Sequence, residues 1–345
     1  MKTVAYFSDY TLELADVNRK VDAIRELTQA DRIVSVMSHS CLQNGLLPSE
    51  PSNERAQKGL DAGANLILQM SSYASLSSLG IYAFAAARFL DQLNLVDEVV
   101  FEVDDTNLEE LTQIVYLLIA NTRDFQQKVT RYRNSGMVFN DAQAKAIGEA
   151  VPGGEEMMKS WHNHFAVECM RALKILYSNI KFICMPRIAS QADPSCHTTL
   201  GSLTTPHKIC APEALSHTLK NALTSGTTDL SDYYGGYESL SLRIKKHLDQ
   251  YEDFLQFADL IAGTDKDLFD IRKFFLRVAK GVSKSTVGVW RLYDFTPYCQ
   301  VHTDTDETYQ AVKASSSIFL FRDASEVSQM DGFKQEMWQK EQLMS

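Results

Sequence analysis

Apolar residues fall in short blocks through the first hundred positions, and the blocks alternate between two periodicities. Thr3-Val4-Ala5-Tyr6-Phe7-Ser8 is a continuous run of strand length and predicts a buried first strand. Val17 to Leu27 instead sets Val21, Ile24 and Leu27 on one face, which predicts a helix. The β-branched run Arg32 to Ser38 reads as a second, parallel strand. Ser52 to Ala62 reads as a helix stopped by Gly63. Asn65 to Met70 is a third strand, Ser77 to Leu93 an Ala-rich helix, and Glu98 to Val103 a fourth strand ending at Asp104-Asp105. Such alternation predicts a Rossmann-like α/β fold, a parallel sheet flanked by helices on right-handed crossovers.

Beyond Thr106 the rhythm changes. Leu108 to Tyr132 and Asn140 to Ala150 read as helices with no strand between them, followed by a break at Val151-Pro152-Gly153-Gly154. A helix from Asn163 to Tyr177 then leads into a last strand, Ile180 to Met185. After a polar loop with three prolines between Ala189 and Pro212, the chain turns mainly helical. The predicted division is an α/β domain over 1–212 and a mainly helical domain over 213–345.

Composition narrows the class without naming it. The 345 residues are 45% hydrophobic and 23% charged, as in an ordinary globular protein. A net charge of -10 argues against broad attraction to nucleic acid. The apolar stretch from Leu79 to Ala87 stops at Arg88, short of a membrane span, and the first residues lack the basic flank of a signal peptide. Six cysteines without a Cys-x-x-Cys pair fit reduced thiols, so a cytoplasmic setting is expected.

The most informative segment is the turn between the first strand and the first helix. In α/β domains this turn or the helix N-terminus often holds phosphates. Here Asp9 to Asp16 contains no Gly, His or Lys and three acids. Other constellations are weaker. Cys196, His197, His207 and Cys210 offer zinc donors, but their spacing matches no common finger and no metal is assigned. His162-Asn163-His164 spells a nuclease signature without the hairpin that would carry it. Arg243, Lys245, Lys246 and His247 are followed at once by Asp249, Glu252 and Asp253, so a solvated helix is expected. Cys41, two residues after His39, reads as a buried structural thiol.

Several segments together carry a resemblance. Val36-Met37-Ser38 with Gln43 and Gly45, Arg55-Ala56 followed by Ala62-Gly63-Ala64-Asn65-Leu66, Leu93 to Asp97, Ser160 to Leu173, and Arg187 occur in the order and spacing of one family. The chain resembles the tRNA(Met) cytidine acetate ligases, bacterial relatives of the nucleotidyltransferases, clearly to about Lys208. That resemblance implies an ATP-dependent, adenylate-forming fold whose two catalytic histidines stand in an H-x-G-H-type turn. The matching positions here are Leu14 and Val17, with Asp16 in place of the glycine. The family's basic run in the C-terminal domain matches Ala262 to Lys273, which carries three aspartates and places tRNA binding in doubt. Candidate remnants of the nucleotide site are Arg55, Asn163, Arg187, Ser202 and Thr204. Against that stands a structural reading, in which Asn163 caps the helix after it and Arg187 pairs with an acid at a strand end.

The resulting expectation is a diverged homologue without catalytic residues, kept as a module for a small ligand or an unidentified protein partner, with no certain cofactor. The alternative is a working ligase acting on tRNA, using ATP and Mg²⁺ in a site rebuilt around Arg55, Asn163, Arg187 and His207. A third is a residual tRNA or rRNA binder.

Overall fold

The computed structural model describes residues 1–188, 209–210, 213–225, 229–262 and 268–342. Strand β1 (Thr3–Phe7) leads through helix α1 (Leu14–Thr28) to β2 (Arg32–Ser38), which lies parallel to it in the register Val4 to Ile33. After the two-residue β3 (Leu47–Pro48), helix α2 (Ser52–Asp61) leads to β4 (Leu66–Met70), parallel to β2. The short α3 (Ser72–Ser75) and the Ala-rich α4 (Leu79–Gln92) then return the chain to β5 (Glu98–Val103), on the other flank of β1.

A helical excursion follows, made of α5 (Leu108–Ala120), α6 (Arg123–Asn134), α7 (Phe139–Gly148), α8 (Gly154–Lys159) and α9 (Trp161–Ile175). The periodicity from Leu108 to Tyr132 suggests one helix, but there are two. Asn121 takes a left-handed φ of 40° and Thr122 caps the next helix by accepting from the Phe125 N–H. Strand β6 (Lys181–Pro186) then pairs parallel with β5.

Strand β7 (Ile209–Cys210) pairs antiparallel with β3. The helices α10 (Glu213–Thr224), α11 (Glu238–His247), α12 (Phe254–Ala262), α13 (Leu268–Ala279) and α14 (Lys284–Leu292) follow. Ile271, Phe274, Phe275 and Val278 of α13 form a buried stripe at helical spacing. The region is mainly helical, as expected, with an addition that the pattern did not signal. Strand β8 (Cys299–His302) pairs antiparallel with β4, and after α15 (Asp306–Ser315) the short β9 (Leu320–Phe321) extends the sheet. The chain closes with α16 (Gly332–Gln342). Cys299-Gln300-Val301-His302 is too short and too polar on one face to announce a strand.

Among the described residues the sheet has seven strands, in the order β6-β5-β1-β2-β4-β8-β9. Side chains alternate across it. Val4, Tyr6, Ile33, Met37, Ile67 and Val100 bury against Val17, Val21 and Ile24 of α1. Ala5, Val34, Val36, Leu68, Val99 and Phe101 belong to the larger core on the other face, with α4 and α9. The chain winds outward from β1 through β2 and β4, then jumps back to β5. The crevice outside the carboxyl ends of β1 and β5 is therefore the switch point, where open α/β sheets take their ligands. Among the described residues no helix is long and apolar enough to cross a membrane.

Candidate functional site at the switch point

The turn after β1 is stitched to the protein itself. Ser8 N–H donates to the Val36 carbonyl (3.1 Å), and the Asp9 carboxylate accepts from Ser38 N–H (2.7 Å), which ties the turn to the end of β2. Tyr10 then bends the chain with a left-handed φ of 53° and buries its ring, its hydroxyl 2.6 Å from that of Tyr6. The ring fits only because α2 has a glycine there. A Cβ on Gly59 would lie 2.5 Å from Tyr10 Cζ and 2.8 Å from Ile67 Cδ1. Gly59→Ala is expected to cost about 1–3 kcal/mol by overpacking, read as a lower urea midpoint at unchanged slope. A midpoint equal to that of the parent protein would refute the packing argument.

Arg55, on α2, is 1% exposed and serves backbone carbonyls at the ends of both strands. Its Nη1 donates to Asp9 O (2.8 Å), its Nη2 to Ser38 O (3.1 Å) and His39 O, and its Nε to Glu50 O (3.3 Å). Lys58, nearly one turn further on, donates to Tyr10 O (3.1 Å) and Leu12 O (3.0 Å) and pairs with the Glu50 carboxylate at 2.5 Å. The cations of α2 therefore hold the turn's carbonyls in place.

Helix α1 begins at Leu14, one turn earlier than its apolar stripe suggests, with Glu13 at its N-cap. Leu14 is 41% exposed at the helix mouth, whereas Val17 is buried in the core beside Tyr6 and Tyr10. Asp16, buried in the first turn, pairs with Arg19.

Across the switch point, β5, β6 and α9 form the second wall. Ser160 caps α9 by accepting from Asn163 N–H (3.2 Å), and its hydroxyl donates to the Asp104 carboxylate (2.6 Å). Asn163 is thus not the cap but the third residue of the helix. Its buried Oδ1 accepts from the N–H groups of Asp104 (2.9 Å) and Asp105 (3.3 Å), fixing the exit of β5. Arg187 pairs with Asp104 (Nε to Oδ1, 3.1 Å), the strand-end ion pair of the structural reading. Asn163 and Arg187 therefore meet at Asp104, while Arg55 works on the carbonyls beyond the other edge of β1. Ser202 and Thr204 lie outside the described residues, as do Cys196, His197, His207 and the side chain of Cys210.

Two groups at this place, Lys20 and His162, are not singled out for it by the sequence. Lys20 of α1 pairs with Glu102 of β5 at 2.5 Å, across the crevice. His162 lies between the two walls, where burial pushes its imidazole from 6.5 down to about 4, against the upward pull of Glu102 and Asp104. In the sequence His162 stands out only as one letter of a nuclease signature. Lys20 could have been found by continuing the α1 register one turn past Asp16.

The remaining candidates are structural where they are described. Cys41 is buried, its thiol pushed up to about 12 by burial. On α13, Lys273 donates to Ser77 O (3.0 Å) and pairs with Asp270 (3.0 Å), and Arg277 donates to the carbonyls of Leu76 and Tyr234. These cations anchor the helical region to the loop after α3. Arg243 on α11 likewise donates to Ile261 O at 3.0 Å. Among the described residues no group of three or more His, Cys, Asp or Glu could hold a metal ion.

Comparison with known proteins agrees with this fold. A tRNA(Met) cytidine acetate ligase from Thermoanaerobacter sp. (strain X514) is 28% identical over 158 residues, covering 45% of this chain and 39% of that protein. One from Clostridium botulinum (strain Langeland) is 23% identical over 211 residues, covering 59% of this chain and 52% of that protein. The chain thus spans about half or less of the length of these curated relatives. The crystal structure of Thermotoga maritima TmcAL bound with alpha-thio ATP superposes with a TM-score of 0.84 at 16% identity, covering 100% of this chain and 92% of that one. A likeness at that identity concerns the fold. The family model described as HIGH Nucleotidyl Transferase matches residues 19–205, more than half of the chain. With the parallel sheet, its switch point and these relatives in agreement, the chain belongs to the HIGH Nucleotidyl Transferase family.

Proposed function

We propose that this chain keeps the nucleotidyltransferase fold without its adenylate-forming chemistry, and acts as a cytoplasmic module that binds a small ligand or a protein. One observation carries the reading: among the described residues, Arg55, Lys58, Lys20 and Arg187 are already engaged by the protein's own oxygens. Arg55 and Lys58 hold backbone carbonyls, Lys20 holds Glu102, and Arg187 holds Asp104. An incoming triphosphate would have to break these contacts while facing Asp9, Glu102 and Asp104. Attack at an α-phosphate also needs donors where negative charge develops. Leu14 and Val17 offer none, and His162 is neutral at pH 7 because burial holds it near 4.

The second reading is an active ligase that uses ATP and modifies tRNA. The names of the relatives favour it, together with one surface feature. An open depression of about 540 Å³ on α6 is lined by Arg123, Gln126, Gln127, Thr130, Asn134 and Arg131, a set suited to phosphate and base edges although Arg131 also pairs with Glu149 at 2.6 Å. Calorimetric titration of the full chain with Mg·ATP separates the two readings. The proposal expects no saturable binding tighter than roughly 1 mM. Saturable binding that disappears in Arg187→Ala, or acetate-dependent exchange of pyrophosphate into ATP, would overturn it. In the same series, filter binding of tRNA that weakens steeply with salt would make the α6 surface an RNA contact.

A further inference from the structure

The carboxyl ends of β2 and β4 lie beside that of β1, and α16 reaches them through its Glu341. Glu341 of α16 is 1% exposed. Its carboxylate accepts from the Ser72 backbone N–H and from the Tyr298 hydroxyl (2.5 Å), and it lies 3.9 Å from His39 Nδ1. About one turn earlier, the Met337 carbonyl accepts from the Tyr73 hydroxyl. Lys280, just past α13, adds attraction for the Glu341 charge. A carboxylate is tolerated in such a place only while donors of this kind hold it.

The rest of α16 is lightly attached. Among its described side chains only Met337 and Glu341 are buried, and Phe333 is 61% exposed. Trp338 packs partly buried against the core, and Gln335 donates to the Ser328 and Met330 carbonyls. A helix of 11 residues is not stable alone in water, so its order depends on what it docks against. The receiving surface, by contrast, is fixed. The His39 carbonyl is clamped by Arg55, and Tyr73 packs on Trp290 with ring centroids 4.1 Å apart. One buried apolar side chain and one buried carboxylate, with the partly buried Trp338 beside them, thus hold a short helix against a rigid floor. Elements built this way open locally well below the free energy of global unfolding.

We propose that α16 is a detachable strap whose Glu341 closes the β2–β4 end of the crevice. When it lifts by local unfolding, the Ser72 N–H, the Tyr298 hydroxyl and His39 become open to solvent and to ligands while the sheet stays intact. Access to this half of the crevice is then set by the opening of α16. The inference does not rest on the fate of the nucleotide chemistry, and its test uses no nucleotide.

Hydrogen–deuterium exchange of the full chain, read by mass spectrometry, tests it. In the parent protein, amides of 332–342 are expected to exchange at least about tenfold faster than those of α4 and α9. Glu341→Gln and Glu341→Ala are each expected to speed exchange in 332–342 and in 72–75 by about a further tenfold, leaving β1 and β5 unchanged. Should Glu341→Ala fail to fold, Tyr298→Phe removes one donor only and is expected to accelerate the same two segments to a smaller degree. The proposal is overturned if α16 exchanges only with global unfolding, or if these variants accelerate every segment equally.

Discussion

Arg55→Ala is expected to destabilise the fold by about 3–5 kcal/mol, a large share of the roughly 5–15 kcal/mol that holds a typical native state. The magnitude follows from what the guanidinium does. It is 1% exposed, and its donors serve the carbonyls of Asp9, Ser38, His39 and Glu50. Truncation leaves several of these carbonyls short of a partner in a buried place, each costing about 1–3 kcal/mol where water cannot enter, and adds a cavity. Arg55→Lys is expected to recover less than half of the loss, because an ammonium cannot span carbonyls on two strand ends as a planar fork does. Urea unfolding followed by far-UV circular dichroism measures both. A loss below about 1 kcal/mol in Arg55→Ala would mean that the clamp is dispensable, and Arg55 would return to consideration as a ligand contact.

That clamp also shows how far the sequence could be read. The four inner strands were legible because mainly apolar runs of five to seven residues between turn signals have few other solutions in a sheet covered on both faces. The apolar character of Leu14 and Val17 was legible too, and neither side chain can donate a proton or hold a phosphate. What could not be read was where the surviving polar residues send their donors. Arg55, Asn163 and Arg187 look alike in a sequence, as residues in a nucleotide-site register. Only the fold shows that Arg55 spends its fork on strand-end carbonyls, that Asn163 accepts from the β5 exit, and that Arg187 answers Asp104. Long-range pairing hides in the same way. Lys20 and Glu102 are 82 positions apart, and Glu341 meets Ser72 across 269. Strand β8 escaped notice because its pairing with β4, not its own composition, makes it a strand.

The other large effect is expected in acid. Burial takes His162 and His302 from 6.5 down to about 4, and burial also lowers His39 and His164. The folded protein therefore keeps these rings neutral where the unfolded chain protonates them. Between pH 6.5 and about 4 the unfolded state binds more protons, so stability is fully present above 6.5 and falls as the pH drops toward 4. At pH 5, a shift from 6.5 to about 4 amounts to roughly 2 kcal/mol for each of His162 and His302, less whatever solvent screens. The parent protein should accordingly lose several degrees in Tm between pH 7.5 and 5, with a slope reaching about 1.4 kcal/mol per pH unit for each such histidine. His162→Asn should remove its own part of that dependence, so the stability difference from the parent protein narrows or reverses in acid. An unchanged acid slope in His162→Asn would show that burial does not hold His162 below its ordinary 6.5. The ring could then take up a proton in mild acid beside Glu102 and Asp104, and the case against a bound phosphate would weaken there.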